Sequence, residues 1–254
     1  VNALLIARNT FREATRDRVA AGMVTAGLAL LGITLVASPL ALGEGSRLLV
    51  DLGLTGISVL GLLVILLTGS SLVAKEVERR TIYNLLSRPI QRSAYLVGKW
   101  AGLSATLWTV AGLLGLALWG LVALRGQGAA GPALLQGVYL AGLELTVVTA
   151  LAVMFSAVSS PVLSALYTLG FFVAGQWSYD LRAFAAKFPP ELGAVVSAVA
   201  NLVPNLPLFN MRTLAAAGQT TTGLHLALAT AYAAVYAACA LSLAAAAFES
   251  KDFK

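Results

Sequence analysis

Residues 75–99 read K-E-V-E-R-R-T-I-Y-N-L-L-S-R-P-I-Q-R-S-A-Y-L-V-G-K, a basic, turn-bearing segment set between two long apolar runs. The chain has 254 residues, 59% hydrophobic and 11% charged, against the roughly 25% charged that soluble domains carry. A sequence so poor in charge that gathers many cations into one short loop reads as an integral membrane protein with a docking surface on its cytoplasmic face. The net charge of +6 is matched to anionic head groups, where each Lys or Arg contributes ~1 kcal/mol, rather than to nucleic acid.

On either side of that loop, a span needs about 20 apolar residues, ~17 to 25, and six stretches qualify: 19–40, 52–74, 100–124, 133–157, 161–177 and 224–248. The fifth is the shortest. Backbone polar groups inside a bilayer must find partners within the chain, so these runs are read as helices; the alternation a barrel needs is missing. The expected fold is all-α, a single transmembrane domain over residues 1–254. If the N-terminus is cytoplasmic, twelve cations lie inside: Arg8, Arg12, Arg16, Arg18, Lys75, Arg79, Arg80, Arg88, Arg92, Lys99, Lys251 and Lys254. Five lie outside: Arg47, Arg125, Arg182, Lys187 and Arg212. That asymmetry puts both termini in the cytoplasm, with the first span an uncleaved anchor.

Three segments flank the spans. In residues 1–18, Leu4, Ala7, Phe11 and Ala14 recur at helical spacing beside Arg8, Arg12 and Arg16, the pattern of an amphipathic helix lying along the inner head groups. In the loop, Ile82, Leu85 and Leu86 form an apolar face opposite Arg80, Asn84 and Ser87; Pro89 disfavours helix at Arg88, and a second short helix from about Ser93 feeds the third span, with Lys99 and Trp100 at the interface. The outer segment 180–223 holds Pro189-Pro190, Pro204, Pro207 and the run N-L-V-P-N-L-P-L-F. It is too broken to span once and too apolar for a free loop, which points to short interfacial or re-entrant helices.

The order Glu78, Thr81, Leu85-Leu86, Pro89, Arg92, Gly98-Lys99 resembles the loop after the second span in permease subunits of the ATP-binding-cassette type-2 family, commonly E-x-x-x-G-T-x-x-x-L-L-s-x-P-i-x-R-x-x-x-x-x-G-K. The match runs from Glu76 through Lys99, and the layout of spans extends it over the chain; Arg80 stands where many relatives carry glycine. The resemblance implies a coupling helix docked in a cleft of a separate nucleotide-binding subunit. Ile82, Leu85 and Leu86 would be its packing anchors, Glu78, Arg79, Arg80 and Arg88 its polar rim, and Pro89 its stop, with Thr81 and Arg92 also among the coupling residues. It also implies ATP and Mg2+ on that partner rather than here, and a second permease copy, as a homodimer. A similar E-x-E-R-x-T stretch occurs in membrane subunits that serve maturation of a periplasmic metalloenzyme, as in the nitrous-oxide reductase system. The other reading of the loop is a solvated basic segment that sets topology alone.

The sequence carries no G-x-x-x-x-G-K-[ST]: Gly98-Lys99 runs into Trp100 without the first glycine, so no phosphate cradle forms and the chain is read as no enzyme in itself. Glu144 falls near the middle of the fourth span, where a carboxylate costs roughly 2.5 to 3.5 kcal/mol. It either lines a translocation path or binds a cationic part of the cargo, or it is a protonated glutamate bonded to a neighbouring helix, or the span is shifted so that it sits nearer the outer surface. His225 is read as interfacial and Cys239 as a buried small residue; with one histidine and one cysteine a metal site is not indicated. Gly98 and Gly102, and the series Gly112, Gly115 and Gly120, are read as sites of close helix approach. Trp108, Trp119, Trp177 and Tyr179 fit either the interface or the core. Together these features predict a six-span exporter subunit in the plasma (inner) membrane. The rival readings are a proton-driven secondary transporter using Glu144 and a membrane scaffold.

Overall fold

The computed structural model describes residues 3–38, 44–73, 92–126, 130–185 and 187–249. Among them there is no strand. The helices are α1 (Ala3–Arg16), α2 (Arg18–Ala37), α3 (Gly45–Leu67), α4 (Arg92–Leu124), α5 (Gly131–Val158), α6 (Pro161–Gln176), α7 (Ser178–Ala185), α8 (Pro190–Leu202), α9 (Arg212–Ala216) and α10 (Gly223–Glu249), with 3-10 turns at Gly69–Ser71 and Leu206–Phe209. Five of them, α2 to α5 and α10, are long and apolar enough to cross a membrane.

Local chemistry sets the boundaries. Asp17 adopts an extended backbone between α1 and α2 and accepts a bond from Val19 N–H at 3.2 Å, so the basic helix ends and the apolar one begins there. Pro132 and Pro161 stand in the first turns of α5 and α6, where a missing N–H costs nothing. The second span begins at Gly45, seven positions before the apolar reading placed it. Arg47, bound to Glu44 at 2.9 Å, and Asp51 occupy its first turns, where the helix need not be apolar. The third span and the short helix expected before it are one continuous helix of 33 residues from Arg92.

α5 is the axle of the bundle: α3, α4, α6 and α10 all pack on it. α10 presents Ala229, Ala233, Ala237, Ala240 and Ala244 as a buried seam, and small residues at this spacing let two backbones come close. That seam turns Cys239 to the opposite side, so the cysteine is exposed rather than buried. α1 lies against the first half of α4. A Cβ at Gly98 would stand 2.7 Å from Ile6, and one at Gly102 2.5 Å from the Ala7 carbonyl oxygen, so both glycines are crossing points. The packed face of α1 therefore runs through Ile6, Ala7, Thr10 and Ala14, while Leu4 and Leu5 point away from the bundle. Gly115 meets Val138, but Gly112 and Gly120 face open space, which restricts the expected glycine series to one member.

α6 has 16 residues, about 24 Å at 1.5 Å per residue, less than the ~30 Å hydrocarbon core. It stops at Trp177, and α7 follows. α8 and the stretch Leu206–Ala216 form a pair bent by 41° at the break between them. Residues 180–223, expected as short interfacial or re-entrant helices, form a set of short helices in the described part. The Leu202 carbonyl is held by Tyr236, about 20 Å along α10 from Gly223.

Candidate functional site

Residues 74–91, which hold Glu78, Arg79, Arg80, Thr81, Ile82, Leu85, Leu86, Arg88 and Pro89, lie outside the described residues. The described chain resumes at Arg92, the first residue of α4. Tyr95, in the first turn of α4, is buried and stacked on Phe248 near the end of α10, with centroids 6.4 Å apart and ring planes 16° apart. The Lys99 ammonium lies 5.9 Å from the Tyr95 centroid. Lys99 is only 5% exposed, a buried lysine and not the interfacial one expected; α1 at Gly98, one position before it, helps to enclose it. On the other side of the loop, the end of α3 tightens into the 3-10 turn Gly69–Ser71, and Val73 N–H donates to Ser156 Oγ on α5 at 3.1 Å.

A second constellation sits at mid-depth. Glu144 is at the midpoint of α5 and 4% exposed. Ser58 Oγ of α3 donates to its Oε2 at 2.9 Å, and Gln176 Nε2 of α6 donates to its Oε1 at 2.5 Å. Arg212, at the start of α9, acts on it electrostatically. Both carboxyl oxygens are therefore engaged by neighbouring helices, and the bond from Gln176 comes from the last residue of the short α6.

Beside it, two helix breaks lie against each other. Gly175 is backed onto the Pro204 carbonyl, 2.9 Å from where a Cβ would stand, and Ser178 Oγ donates to Asn205 Oδ1 at 3.1 Å. From the far side α10 supplies three contacts. Tyr236 OH donates to the Leu202 carbonyl at 3.0 Å, Asn205 N–H donates to Tyr232 OH at 2.8 Å, and His225 Nε2 stands 3.1 Å from the Leu208 carbonyl oxygen. Residues 225, 232 and 236 share one face of a helix. Sequence reading missed this role for His225 and the tyrosines; the signal was the pairing of a proline-broken apolar run with polar residues at heptad-like spacing in the next span.

Trp108 caps Gly142 and donates to Thr146 Oγ1 at 3.0 Å, so it is a core residue, whereas Trp119, Trp177 and Tyr179 are exposed. A cleft of about 250 Å³ opens between α5, α6, α8 and α10, lined by Leu151, Met154, Phe171, Leu202, Tyr236 and Cys239 among others, and almost wholly apolar. Among the described residues no group of acidic, histidine or cysteine side chains could hold a metal ion.

Long apolar helices packed around a central one, with the few polar groups turned inward, define an all-α integral membrane protein. The family described as ABC-2 family transporter protein matches residues 3–253, and the chain belongs to it. It is a multi-pass permease, the membrane component of an ATP-binding-cassette transporter, in a family whose members generally work with a separate ATP-binding subunit. No curated protein matches the chain.

Proposed function

We propose that this permease exports its cargo, driven by ATP hydrolysis on a separate nucleotide-binding subunit that docks on residues 75–99. The termini and this loop face the cytoplasm, and two copies of the chain form the pathway. The observation that carries the reading is the loop sequence itself, with Ile82, Leu85 and Leu86 as anchors, Glu78, Arg79, Arg80, Thr81, Arg88 and Arg92 around them, and Pro89 closing the helix. A short helix with an apolar stripe and charged rim suits a groove contact. The stiffness of α4 supports it, because that helix rises from Arg92 without interruption and is braced in its first turns by α1 and α10. Closure of the ATPase pair would push this lever and open the bundle outward. Glu144 would meet cargo once α6 withdraws and releases its Oε1.

Purification of the wild-type chain from its native membrane tests the proposal. An ATP-hydrolysing subunit should elute with it and be lost from the Leu85→Asp, Leu86→Asp variant. Flux that follows a proton gradient without nucleotide would replace this reading by the secondary transporter. Binding without stimulated hydrolysis would replace it by the scaffold.

A further inference from the structure

We propose that segment 202–211 is inserted in the membrane and that α10 is the rod that carries motion to it from the loop end of the bundle. The inference rests on the reading that residues 75–99 receive the push of an ATPase. At the loop end, α10 is joined to the first turn of α4 by the Phe248–Tyr95 stack. Phe248 is 1% exposed and Tyr95 3%, so the two rings cannot separate without opening packed apolar surface. From its midpoint to its other end, α10 holds the segment by its backbone, through Tyr236 to Leu202, Tyr232 to Asn205 and His225 to Leu208. These are bonds to groups that would otherwise have no partner in hydrocarbon, where leaving one unmade costs several kcal/mol. The segment is therefore fixed to α10 by the cheapest means available to it, and Phe209 against Tyr232, 6.1 Å between centroids, adds an apolar contact.

Between its ends α10 buries mostly small side chains, Ala229, Ala233, Ala237, Ala240 and Ala244, with Leu241 among them, and small residues at this spacing let its backbone come close to α5. The hydroxyl pair Tyr139–Thr230, at 2.8 Å, and the bonds of Gln136 to Thr221 tie α10 to α5 near the outer end. Thr230 lies between His225 and Tyr232, and Thr221 two residues before α10, so α10 tilts about Thr230, and Tyr236, about 9 Å along the helix from it, is the contact that moves most. The competing route runs from Val73 through Ser156 into α5, which touches the same segment by packing at Leu206–Phe209 and at Ala215 against Gly137, rather than by the side-chain bonds to the segment's backbone that α10 makes.

The test uses the full chain with its ATPase in proteoliposomes, in a Cys239→Ser background with Ala215→Cys as reporter. Ala215 is 1% exposed and lies on α9, just beyond the segment, against Gly137. The measurement is the rate of labelling by a membrane-impermeant maleimide, with and without Mg-ATP and vanadate. In the parent, nucleotide should change that rate. In Tyr232→Phe with Tyr236→Phe, which keeps the rings and removes only the hydroxyls, ATPase binding and hydrolysis should persist while the nucleotide response disappears. Phe248→Leu should show the same uncoupling from the opposite end, and stands in if the double variant does not accumulate. A response that survives in these variants, or that is lost in Ser156→Ala alone, overturns the rod. A parent that retains no ATPase overturns the coupling reading instead, before any variant is compared.

Discussion

Among single residues, Glu144 shows what a sequence can and cannot reveal. Its cost in the middle of a span was legible from position alone, and so was the inference that it faces inward. Its partners were not, because Ser58 and Gln176 are unremarked polar residues on helices 86 and 32 positions away. Two substitutions separate its roles. Glu144→Gln can still accept from Ser58 while its amide turns to the Gln176 carbonyl, so assembly should be kept and transport should fall, as read by complex recovery and flux. Glu144→Leu strands the donors of both partners in the bilayer and should cost about 2 kcal/mol, seen as a lower melting temperature in detergent. Ser58→Ala removes one interhelical bond and should cost about 0.6 kcal/mol, the average for such bonds in membranes. Unchanged flux in Glu144→Gln would remove the carboxylate from the pathway.

For whole helices, periodicity and charge located α1 and the five long spans to within a turn at most ends, since apolar runs bounded by Asp17, Pro132 and Ser160-Pro161 leave little choice. What they could not supply was which face of each helix is covered. Gly102 and Gly112 look alike in sequence. The first would drive a Cβ to 2.5 Å from the Ala7 carbonyl, whereas the second has nothing within 4 Å. Gly102→Ala should therefore push α1 off α4, because backbone cannot yield as a side-chain tip can, and should cost about 2 kcal/mol or more. Gly112→Ala should be neutral or stabilising by up to about 1 kcal/mol through helix propensity. Thermal scans of the two variants in one detergent check the contrast. The same blindness to faces hid the exposure of Cys239 and the burial of Lys99.

For the assembled molecule, the proposed pair of permeases with two ATPases should appear as a four-chain particle by native mass spectrometry, and the Leu85→Asp, Leu86→Asp variant should leave the permease pair alone. A four-chain particle that survives that substitution would place the contact elsewhere. The loop reading rests on the sequence alone, residues 74–91 lying outside the described residues, whereas segment 202–211 was half legible: its prolines announced a break, but the groups that receive it lie in the following helix. That arrangement constrains how the protein is made. The backbone groups at Leu202, Asn205 and Leu208 take their side-chain partners, Tyr236, Tyr232 and His225, from a helix translated after them. On the proposed insertion, this stretch lacks those partners in the bilayer until α10 has been made, and its burial is expected to follow α10 rather than precede it.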